Sequence, residues 1–514
     1  MTGPLPHPAV PVTVGPVEPV RVAAGPVEPV RVAAGPHPSG RAPMTWGQLA
    51  IWRPHIWFGA DSHVLNMPSV LTVDPPVPLD RCLAAIAAVV ERVPALRTRF
   101  GSSPDGPYQE AVPDGVLPVR IVRPDAGEPT GPLAEAVSKE MAATPFDLTT
   151  DWPIRVAAVV EDDRVTRLAL TLSHVAVDGW GARRVFADLH TELRSAVHST
   201  PDTDLHLHLH RDPAAPAAAP PPQWTALDQA AFERSEVGAA RSALAVQHWR
   251  QALSAVPGPV FADPPRMPRV PADGPRFHRL RIESRAAAVA AGLLARRSRT
   301  STSTVLLTAV ALLLAALTER DSVPLQLIVG NRHDERSRGL AAAMAQNGLF
   351  VHHVDPAADF TSTLRTTYRR ALAAYCHGHY DPVEIDAVVA EVSAARGVPS
   401  GIDAYFNDAR MEADFTDLPT EVRAEEWDAF RSRTTVETVA TLERHDATFF
   451  AHLAHHPEEC HLLLLIDTAH VPASAARAGL FGIERLLVEA ARRHVPIAEA
   501  TALLLPPAST RERT

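Results

Sequence analysis

The sequence has little cysteine and no surplus of positive charge. Its three cysteines, Cys82, Cys376 and Cys460, stand far apart and form no C-x-x-C pair, which argues against a disulfide framework or a structural zinc site. With 49 Lys+Arg against 59 Asp+Glu, the formal net charge is −10, so no basic excess attracts nucleic acid or an anionic membrane. These absences favour protein or small-molecule partners and predict a reducing, cytoplasmic location.

The sequence also has little that fits an export signal or a membrane span. The N-terminal residues MTGPLPHPAV contain no basic segment followed by an apolar one, which a signal peptide requires. The longest apolar run, Val305 to Leu317, is too short to cross a bilayer and contains Thr308. We therefore expect no membrane partner and predict a buried core helix for this run.

A perfect ten-residue repeat lies near the N-terminus. The sequence GPVEPVRVAA occupies residues 15–24 and again 25–34. It is rich in Pro and Val and has no helical period, and a solenoid would need more copies. The pattern predicts a disordered tail over residues 1–41.

The length of 514 residues predicts at least two compact lobes. A Pro/Ala-rich stretch, which ends in DPAAPAAAPPPQ, cannot continue a helix and indicates a connection between lobes. The predicted parts are an N-terminal lobe at 42–205, a linker at 206–225, a C-terminal lobe at 226–505 and a disordered tail at 506–514.

Apolar periodicity alternates along the chain between that of strands and that of helices, which predicts a mixed α/β (α+β) fold. The predicted strands are 119–122, 168–172, 324–329, 349–354 and 461–467. The predicted helices are 83–93, 181–193, 230–253, 284–298, 302–317, 362–375 and 474–493.

The stretch LSHVAVDGWG, residues 172–181, carries the strongest sign of chemistry. An apolar strand ends at Ser173-His174, and a turn at Asp178-Gly179 leads into a helix. A histidine at a strand end has a pKa near the working pH, which suits proton transfer. Asp178 follows too closely to be assumed the hydrogen-bond partner of His174, and it could instead pair with a basic residue that holds the turn. Taken alone, such a histidine is more often structural.

The stretch resembles the hallmark H-H-x-x-x-D-G of the condensation domains of nonribosomal peptide synthetases, which belong to the chloramphenicol-acetyltransferase-like acyltransferases. Further motifs similar to those of the family follow the same order over roughly residues 42–505. They are MTWGQLAIW at 44–52, ALRTRF at 95–100, VQHWRQAL at 246–253, VGNRHDERSRGLAAAMAQNGLFVHHV at 329–354 and AYCHGHYDPVEI at 374–385.

The resemblance implies a fold and an activity. The fold would be two acetyltransferase-like lobes in a V-shaped pseudo-dimer with a central tunnel. The activity would be the joining of an acyl or aminoacyl thioester to an amine or hydroxyl nucleophile.

His174 corresponds to the second hallmark histidine, which would deprotonate or orient the nucleophile. Asp178 and Gly179 correspond to the hallmark D-G, with Asp178 in a structural role. Arg332, the arginine of the family's A-N-R segment, is a candidate salt-bridge partner for Asp178 across the lobes.

The sequence departs from the family pattern at three places. The family's R-H-E before L-R-T is replaced by Arg92-Val93-Pro94. Ser173 stands where the hallmark has its first histidine; it offers one donor and two acceptors but cannot carry a positive charge. The family's V-N-T after G-F-F is replaced by Val351-His352-His353. We assign Ser173 a supporting role at the site. The candidates for tunnel or substrate contacts are Trp180, Asn331, His352 and His353.

The resemblance implies no metal, nucleotide or redox cofactor of the protein's own. The substrate would arrive on the phosphopantetheine of an acyl or peptidyl carrier protein. No carrier serine segment and no Gly/Ser/Thr-rich adenylate loop is recognisable, so we expect a free-standing monomer that works on a carrier in trans. Two other functions stay open: an epimerisation-type relative that moves an α-proton with the same histidine, and a non-catalytic carrier-docking platform, which Ser173 favours.

Overall fold

The computed structural model describes residues 25–37, 39–198, 224–256, 258–261, 274–410, 414–415 and 417–505. The chain divides into two compact units. Among the described residues, the N-terminal unit comprises those up to 239 together with 330–345, and the C-terminal unit comprises 240–329 and 346–505. The class is mixed α/β, as predicted.

The strands are β1 (Val27–Val32), β2 (Gly40–Pro43), β3 (Asn66–Pro78), β4 (Thr98–Ser103), β5 (Gly106–Ala111), β6 (Gly115–Val122), β7 (Ile154–Glu161), β8 (Arg164–Ser173), β9 (Phe277–Ser284), β10 (Ser322–Val329), β11 (Gln346–His353), β12 (Ala404–Asp408), β13 (Thr435–Leu442), β14 (Phe449–Ala454) and β15 (Cys460–Asp467).

The helices are α1 (Trp46–Phe58), α2 (Leu79–Arg92), α3 (Thr130–Ala142), α4 (Gly179–His198), α5 (Ala226–Glu233), α6 (Glu236–Ser254), α7 (Arg285–Ser298), α8 (Thr302–Thr318), α9 (Glu335–Arg338), α10 (Phe360–Cys376), α11 (Pro382–Arg396), α12 (Ala424–Arg431), α13 (Ala473–Arg492) and α14 (Ile497–Leu504). Two 3₁₀ turns, Gly59–Leu65 and Pro94–Arg97, join neighbouring elements.

The predicted lobe boundaries differ from the observed division. Residues 226–239 and 330–345, predicted for the C-terminal lobe, belong to the N-terminal unit. The physical reason is a small apolar cluster in which Ala226 packs with Leu340, Ala342 and Met344. The predicted linker up to residue 223 and the predicted tail at 506–514 lie outside the described residues.

Part of the predicted disordered tail is ordered. The second copy of the decapeptide repeat contains β1, which pairs antiparallel with β6. Val30 and Val32 are buried, so alternate residues of the repeat supply the apolar face that an edge strand needs. The prediction of disorder was wrong for this copy because two buried valines are enough to add a strand to an existing sheet.

The N-terminal unit contains a five-stranded sheet in the order β1-β6-β7-β8-β3 and a three-stranded sheet in the order β2-β5-β4. Strand β8 pairs antiparallel with β7 on one side and with β3 on the other. Leu168 to Ser173 are all buried, which explains the near-continuous apolar run that ends at the candidate site. Strand β8 therefore lies inside the sheet and ends at Ser173, and His174 follows it directly.

The single helix predicted over 230–253 is two helices. Helix α5 ends at Glu233, and α6 begins at Glu236 after Ser235, whose hydroxyl accepts a hydrogen bond from the Gly238 N–H at 3.3 Å. A serine in this position satisfies a free N–H of the new helix and so favours a restart.

The C-terminal unit is built on a seven-stranded sheet in the order β11-β10-β12-β14-β15-β9-β13. One face packs against α7, α8, α10 and α13 and forms the main core. The cross-strand register places Arg279, Leu465, Phe450, Tyr405 and Gln326 in one row on the opposite face. Asn407 and His452 lie opposite each other in the next row of that face. This second surface carries apolar as well as polar side chains.

Helix α8 confirms the core helix predicted for the longest apolar run. Its residues from Thr304 to Ala315 are all buried. Across the described ranges, no single helix is long and apolar enough to cross a membrane; α7 and α8 meet the length and composition test only as a pair, bent by 109°.

Candidate active site

The end of β8 holds Ser173 and His174 through the backbone. The Ser173 N–H donates to the Pro153 carbonyl at 3.0 Å, and the His174 N–H donates to the Leu65 carbonyl at 3.3 Å. The Ser173 carbonyl accepts from the N–H groups of Ala176 and Val177, which closes a turn directly after the strand. The backbone of His174 is therefore held by hydrogen bonds directly after the end of the strand.

The His174 side chain is 8 % exposed. Burial lowers its pKa, against weaker opposing effects of its own backbone and of Asp178. Burial therefore favours the neutral ring, and Nδ1 is buried without a hydrogen-bond partner among the described residues.

Asp178 lies at the N-terminus of α4, where its carboxylate gathers several donors. It accepts from the backbone N–H groups of Gly181 at 2.8 Å, Met344 at 2.9 Å and Ala345 at 3.0 Å. Arg332 adds a bidentate pair, with both N–O distances at 2.8 Å. Asp178 and Arg332 lie in the same unit, so the predicted partner is found, but it does not bridge the two units.

The electrostatics of the Asp178–Arg332 pair are those of a structural ion pair. Burial by itself would raise the pKa of Asp178, but the Arg332 charge and the hydrogen bonds from Arg332, Gly181 and Met344 hold it below its usual value. Arg332 also donates to the carbonyls of Gly330, Leu340 and Ala342. A carboxylate engaged by so many donors is not a proton acceptor, so its task is to hold the turn after His174.

Sequence reasoning missed the segment 340–345, LAAAMA, as part of this site. The Ala343 N–H donates to the Ala176 carbonyl at 3.0 Å, and the Thr45 hydroxyl donates to the Ala343 carbonyl at 3.4 Å. A Cβ at Gly47 would lie 2.4 Å from the Ala343 carbonyl oxygen. The available signal was the run of small residues together with Gly47, since both permit close backbone approach.

The remaining predicted residues of the N-terminal unit surround this arrangement. Gly179 begins α4, and a Cβ there would meet nothing within 4 Å. Trp180 is 38 % exposed, and its ring lies against Gly330. Asn331 is buried in a left-handed conformation, with φ of 53°, and its amide donates to the Met344 carbonyl at 3.0 Å. Asn331 thus fixes the backbone beside Arg332.

The two other predicted residues, His352 and His353, belong to the C-terminal unit. His352 lies beside Phe350 on the helix-covered side of β11, and burial lowers its pKa to about 4. His353 contacts the Ser322 hydroxyl at 2.6 Å. Their alternation on the strand is as predicted, and His352 is a buried neutral side chain.

Within the described residues, one group has the spacing for a metal ion: His456, Glu459 and His461, whose ligand atoms lie within 4.8 Å of one another. His456 Nδ1 already accepts from the Glu459 N–H at 2.9 Å. The two imidazoles are stacked, with centroids 4.3 Å apart. The group is better described as a hydrogen-bonded turn.

Comparison with known proteins shows which family the chain resembles in sequence and in fold. Residues 40–205 match the family model described as Condensation domain. Solved condensation domains have the same fold: the domain from the Monacolin K polyketide synthase MokA gives a TM-score of 0.63 at 16 % identity, covering 89 % of this chain and 98 % of that one. The first condensation domain of the calcium-dependent antibiotic synthetase, in complex with a substrate analogue, gives 0.62 at 16 %, with the same coverage. Residues 40–205 are thus similar in sequence to condensation domains, and the chain has the fold of the solved condensation domains, the chloramphenicol-acetyltransferase-like fold.

More particular similarities are to nonribosomal peptide synthetases. The chain is 30 % identical over 311 residues to phosphinothricin tripeptide synthetase PhsB of Streptomyces viridochromogenes, covering 58 % of this chain and 24 % of that protein. It is 29 % identical over 354 residues to the probable non-canonical nonribosomal peptide synthetase CymA of Salinispora arenicola, covering 65 % and 4 %. The chain therefore spans about a quarter or less of these relatives.

Proposed function

We propose that the chain catalyses condensation: it joins an acyl or aminoacyl thioester, carried on the phosphopantetheine of a carrier protein, to an amine or hydroxyl nucleophile. Condensation domains in general are amide-forming acyltransferases that work with carrier proteins, and the similarity to peptide synthetases supports the same role here. The observation that carries the proposal is His174, a buried neutral imidazole at a strand end whose following turn is held by the Asp178–Arg332 pair.

The proposed chemistry assigns one proton-transfer role to His174. As the nucleophile attacks the thioester carbonyl carbon, the neutral imidazole accepts a proton from the attacking nitrogen or oxygen. The C–S bond then breaks, and the sulfur leaves as a thiol with the proton that the imidazolium returns. The products are an amide or ester and a free phosphopantetheine thiol. His174 ends the cycle neutral, and neither a metal nor a redox cofactor is needed.

Product analysis tests the proposal. The purified protein receives acyl-loaded carrier proteins, added as separate polypeptides, with a panel of amines and alcohols, and mass spectrometry detects amide or ester. We expect product with the native protein and with His190→Ala, an exposed histidine on α4. We expect none with His174→Ala. Equal product from the native protein and His174→Ala would contradict the assignment.

A non-catalytic carrier-docking platform is the second candidate, favoured by Ser173 in place of the first hallmark histidine. It predicts that the native protein binds carrier protein and forms no product with any nucleophile. An epimerisation-type activity predicts a different result: α-deuterium enters a carrier-bound aminoacyl group in D₂O, His174 is required and no nucleophile is consumed.

A further inference from the structure

A cavity with a volume of about 310 Å³ lies in the N-terminal unit and is lined by residues of both its sheets. Its walls come from β4, from the starts of β6 and β7, and from the segment 146–152 that precedes β7. The Phe100 N–H of β4 donates to the Leu148 carbonyl at 2.8 Å, which holds two of these parts together. The volume is near the lower end of the roughly 300–1,000 Å³ that is typical of small-molecule sites.

Arg99 and Asp114 line this cavity with opposite charges and are not paired with each other. No hydrogen bond or ion pair reaches either side chain from a residue that the structure describes, and Arg99 Nε is buried without a partner. Glu110, the cross-strand neighbour of Arg99, is engaged by Arg41 at 3.0 Å. Polar atoms that are buried in native proteins normally have a hydrogen-bond partner, so the Arg99 guanidinium lacks one.

The other two charged residues of the cavity wall, Arg155 and Asp151, are engaged within the protein. The Arg155 guanidinium donates to three backbone carbonyls at 2.6–2.9 Å, those of Met141, Thr144 and Pro145. The Asp151 carboxylate accepts from the Asp147 N–H at 3.3 Å. Burial lowers the pKa of Arg155, and the charge of Asp151 opposes this effect. Two arginines and two aspartates line the cavity, so their formal charges sum to zero.

One further cation, Arg97, lies close enough to Asp114 to be affected by its charge. Burial lowers the pKa of Arg97, and the charges of Asp114 and Glu91 oppose this effect. Arg97 is 0 % exposed and does not line the cavity, and its Nη1 donates to the Val112 carbonyl. Asp114 is exposed, and no ion pair joins it to Arg97 among the described residues. The Asp114 carboxylate is therefore open to a partner in the cavity.

Much of the remaining wall is apolar. The Phe146 ring lies against the Arg155 guanidinium, with its centroid 3.9 Å from Cζ. A Cβ at Gly115 would lie 2.7 Å from Trp152 Cζ2, so the indole ring packs directly on the backbone at the start of β6. The other apolar side chains of the lining are Val116, Leu117, Pro118 and Ile154. Such a wall suits an apolar group of a small ligand.

A cavity with an unpaired cation, an unpaired anion and an apolar wall is complementary to a zwitterion with an apolar side chain. We propose that this cavity binds a free amino acid, with its carboxylate on Arg99, its ammonium group on Asp114 and its side chain against Phe146 and Trp152. A guanidinium matches a carboxylate bidentately. A ligand with a net charge would leave either Arg99 or Asp114 without a counter-charge, whereas a zwitterion satisfies both.

Calorimetric titration of the full chain tests this binding without a catalytic assay. The probes are L-leucine, leucinamide, which lacks the carboxylate, and N-acetyl-leucine, which lacks the ammonium group. We expect the native protein to bind L-leucine about tenfold more tightly, or better, than either derivative, since each derivative loses one charge-assisted contact. Native protein that bound N-acetyl-leucine as tightly as L-leucine would have a simple anion site, which would contradict the proposal.

Two charge variants assign the ends of the ligand. Arg99→Gln should weaken the binding of L-leucine about tenfold or more and leave the binding of leucinamide unchanged. Asp114→Asn should weaken L-leucine by a similar factor and leave N-acetyl-leucine unchanged. Arg123→Gln removes a cation of the same unit that lies outside the cavity and pairs with Asp163, so this control should bind all three probes as the native protein does.

A third variant tests the cavity itself. Val116 lines the cavity and is 52 % exposed, so Val116→Trp adds bulk there without removing a charge or a core side chain. It should abolish the binding of L-leucine, and it keeps the proposal testable with Asp114→Asn if Arg99→Gln does not fold.

Three results would overturn the proposal. Native binding of L-leucine by Val116→Trp would place the ligand elsewhere. Equal weakening of L-leucine and leucinamide in Arg99→Gln would mean that Arg99 does not contact the carboxylate. Absence of any L-leucine binding by the native protein at millimolar concentration would contradict an amino-acid site.

Discussion

At the scale of single residues, the burial of His174 decides what the site can do. An exposed histidine would be partly protonated near neutral pH, whereas a buried one pays the desolvation cost only when charged and so stays neutral. Its backbone is held by the Leu65 carbonyl and by the turn that follows Ser173. The residue is thus ready to accept a proton at neutral pH.

The lowered pKa of His174 predicts the pH dependence of the reaction. Activity requires the neutral ring, whose pKa lies below the ordinary value of 6.5. We expect single-turnover rates to stay level from neutral pH down through 6.5 and to fall only below it. An acid limb centred above neutral pH would contradict this, because it would require a histidine stabilised in its charged form.

At the scale of elements, the Asp178–Arg332 pair joins the start of α4 to the segment 330–345. Arg332→Ala would leave Asp178 buried and without its cation, and breaking a buried pair in this way costs about 3–5 kcal/mol. We expect a loss of this order in urea denaturation at neutral pH. Arg184→Ala, which removes an exposed ion pair with Asp188 one turn along α4, is the control and should change stability by less than about 1 kcal/mol.

The same pair predicts how that loss depends on pH. Asp178 has a depressed pKa in the folded state, so its stabilising effect is present above its unfolded value of 3.8 and is lost as pH falls through the folded value. The stability difference between the native protein and Arg332→Ala should narrow below pH 3.8. If this stability difference were the same in acid, the loss in Arg332→Ala would not come from the Asp178 carboxylate.

Two glycines at the site give opposite predictions. Gly47→Ala would bring a Cβ to 2.4 Å from the Ala343 carbonyl oxygen, and a clash with backbone typically costs about 1–3 kcal/mol. Gly179→Ala meets nothing within 4 Å and should stay within about 0.5 kcal/mol of the native protein. Thermal denaturation of both variants checks this. The opposite result, in which Gly179→Ala is destabilised and Gly47→Ala is not, would contradict the close backbone contact at Gly47.

Elements with a strong apolar period were predictable from the sequence, and those that depend on distant partners were not. The end of β8 and helix α8 follow from local patterns alone. Strand β1 was missed because two valines in a Pro-rich repeat carry no signal until β6 is there to pair with them. The segment 340–345 was missed for the same reason. Its small residues matter because Asp178 and Gly47 contact its backbone, and the sequence does not show these contacts.

At the scale of the whole molecule, the fold and the family match do not cover the same residues. The family model matches 40–205, whereas the structural likeness to solved condensation domains covers about nine-tenths of the chain, 89 % for two of them. The lobe boundary could not be predicted from composition, because the chain crosses between units inside α6 and returns for residues 330–345. A shift in composition can indicate a connection between lobes, but it does not show that residues 330–345 belong to the N-terminal unit.

The most direct test of the central claim is the single-turnover rate of amide formation, measured for His174→Ala and for His190→Ala with the same loaded carrier and nucleophile. If His174 transfers the proton, its replacement should slow the reaction by about 10²–10⁴-fold while His190→Ala keeps the native rate. Equal rates in the two variants would contradict the account and assign the chemistry to another residue.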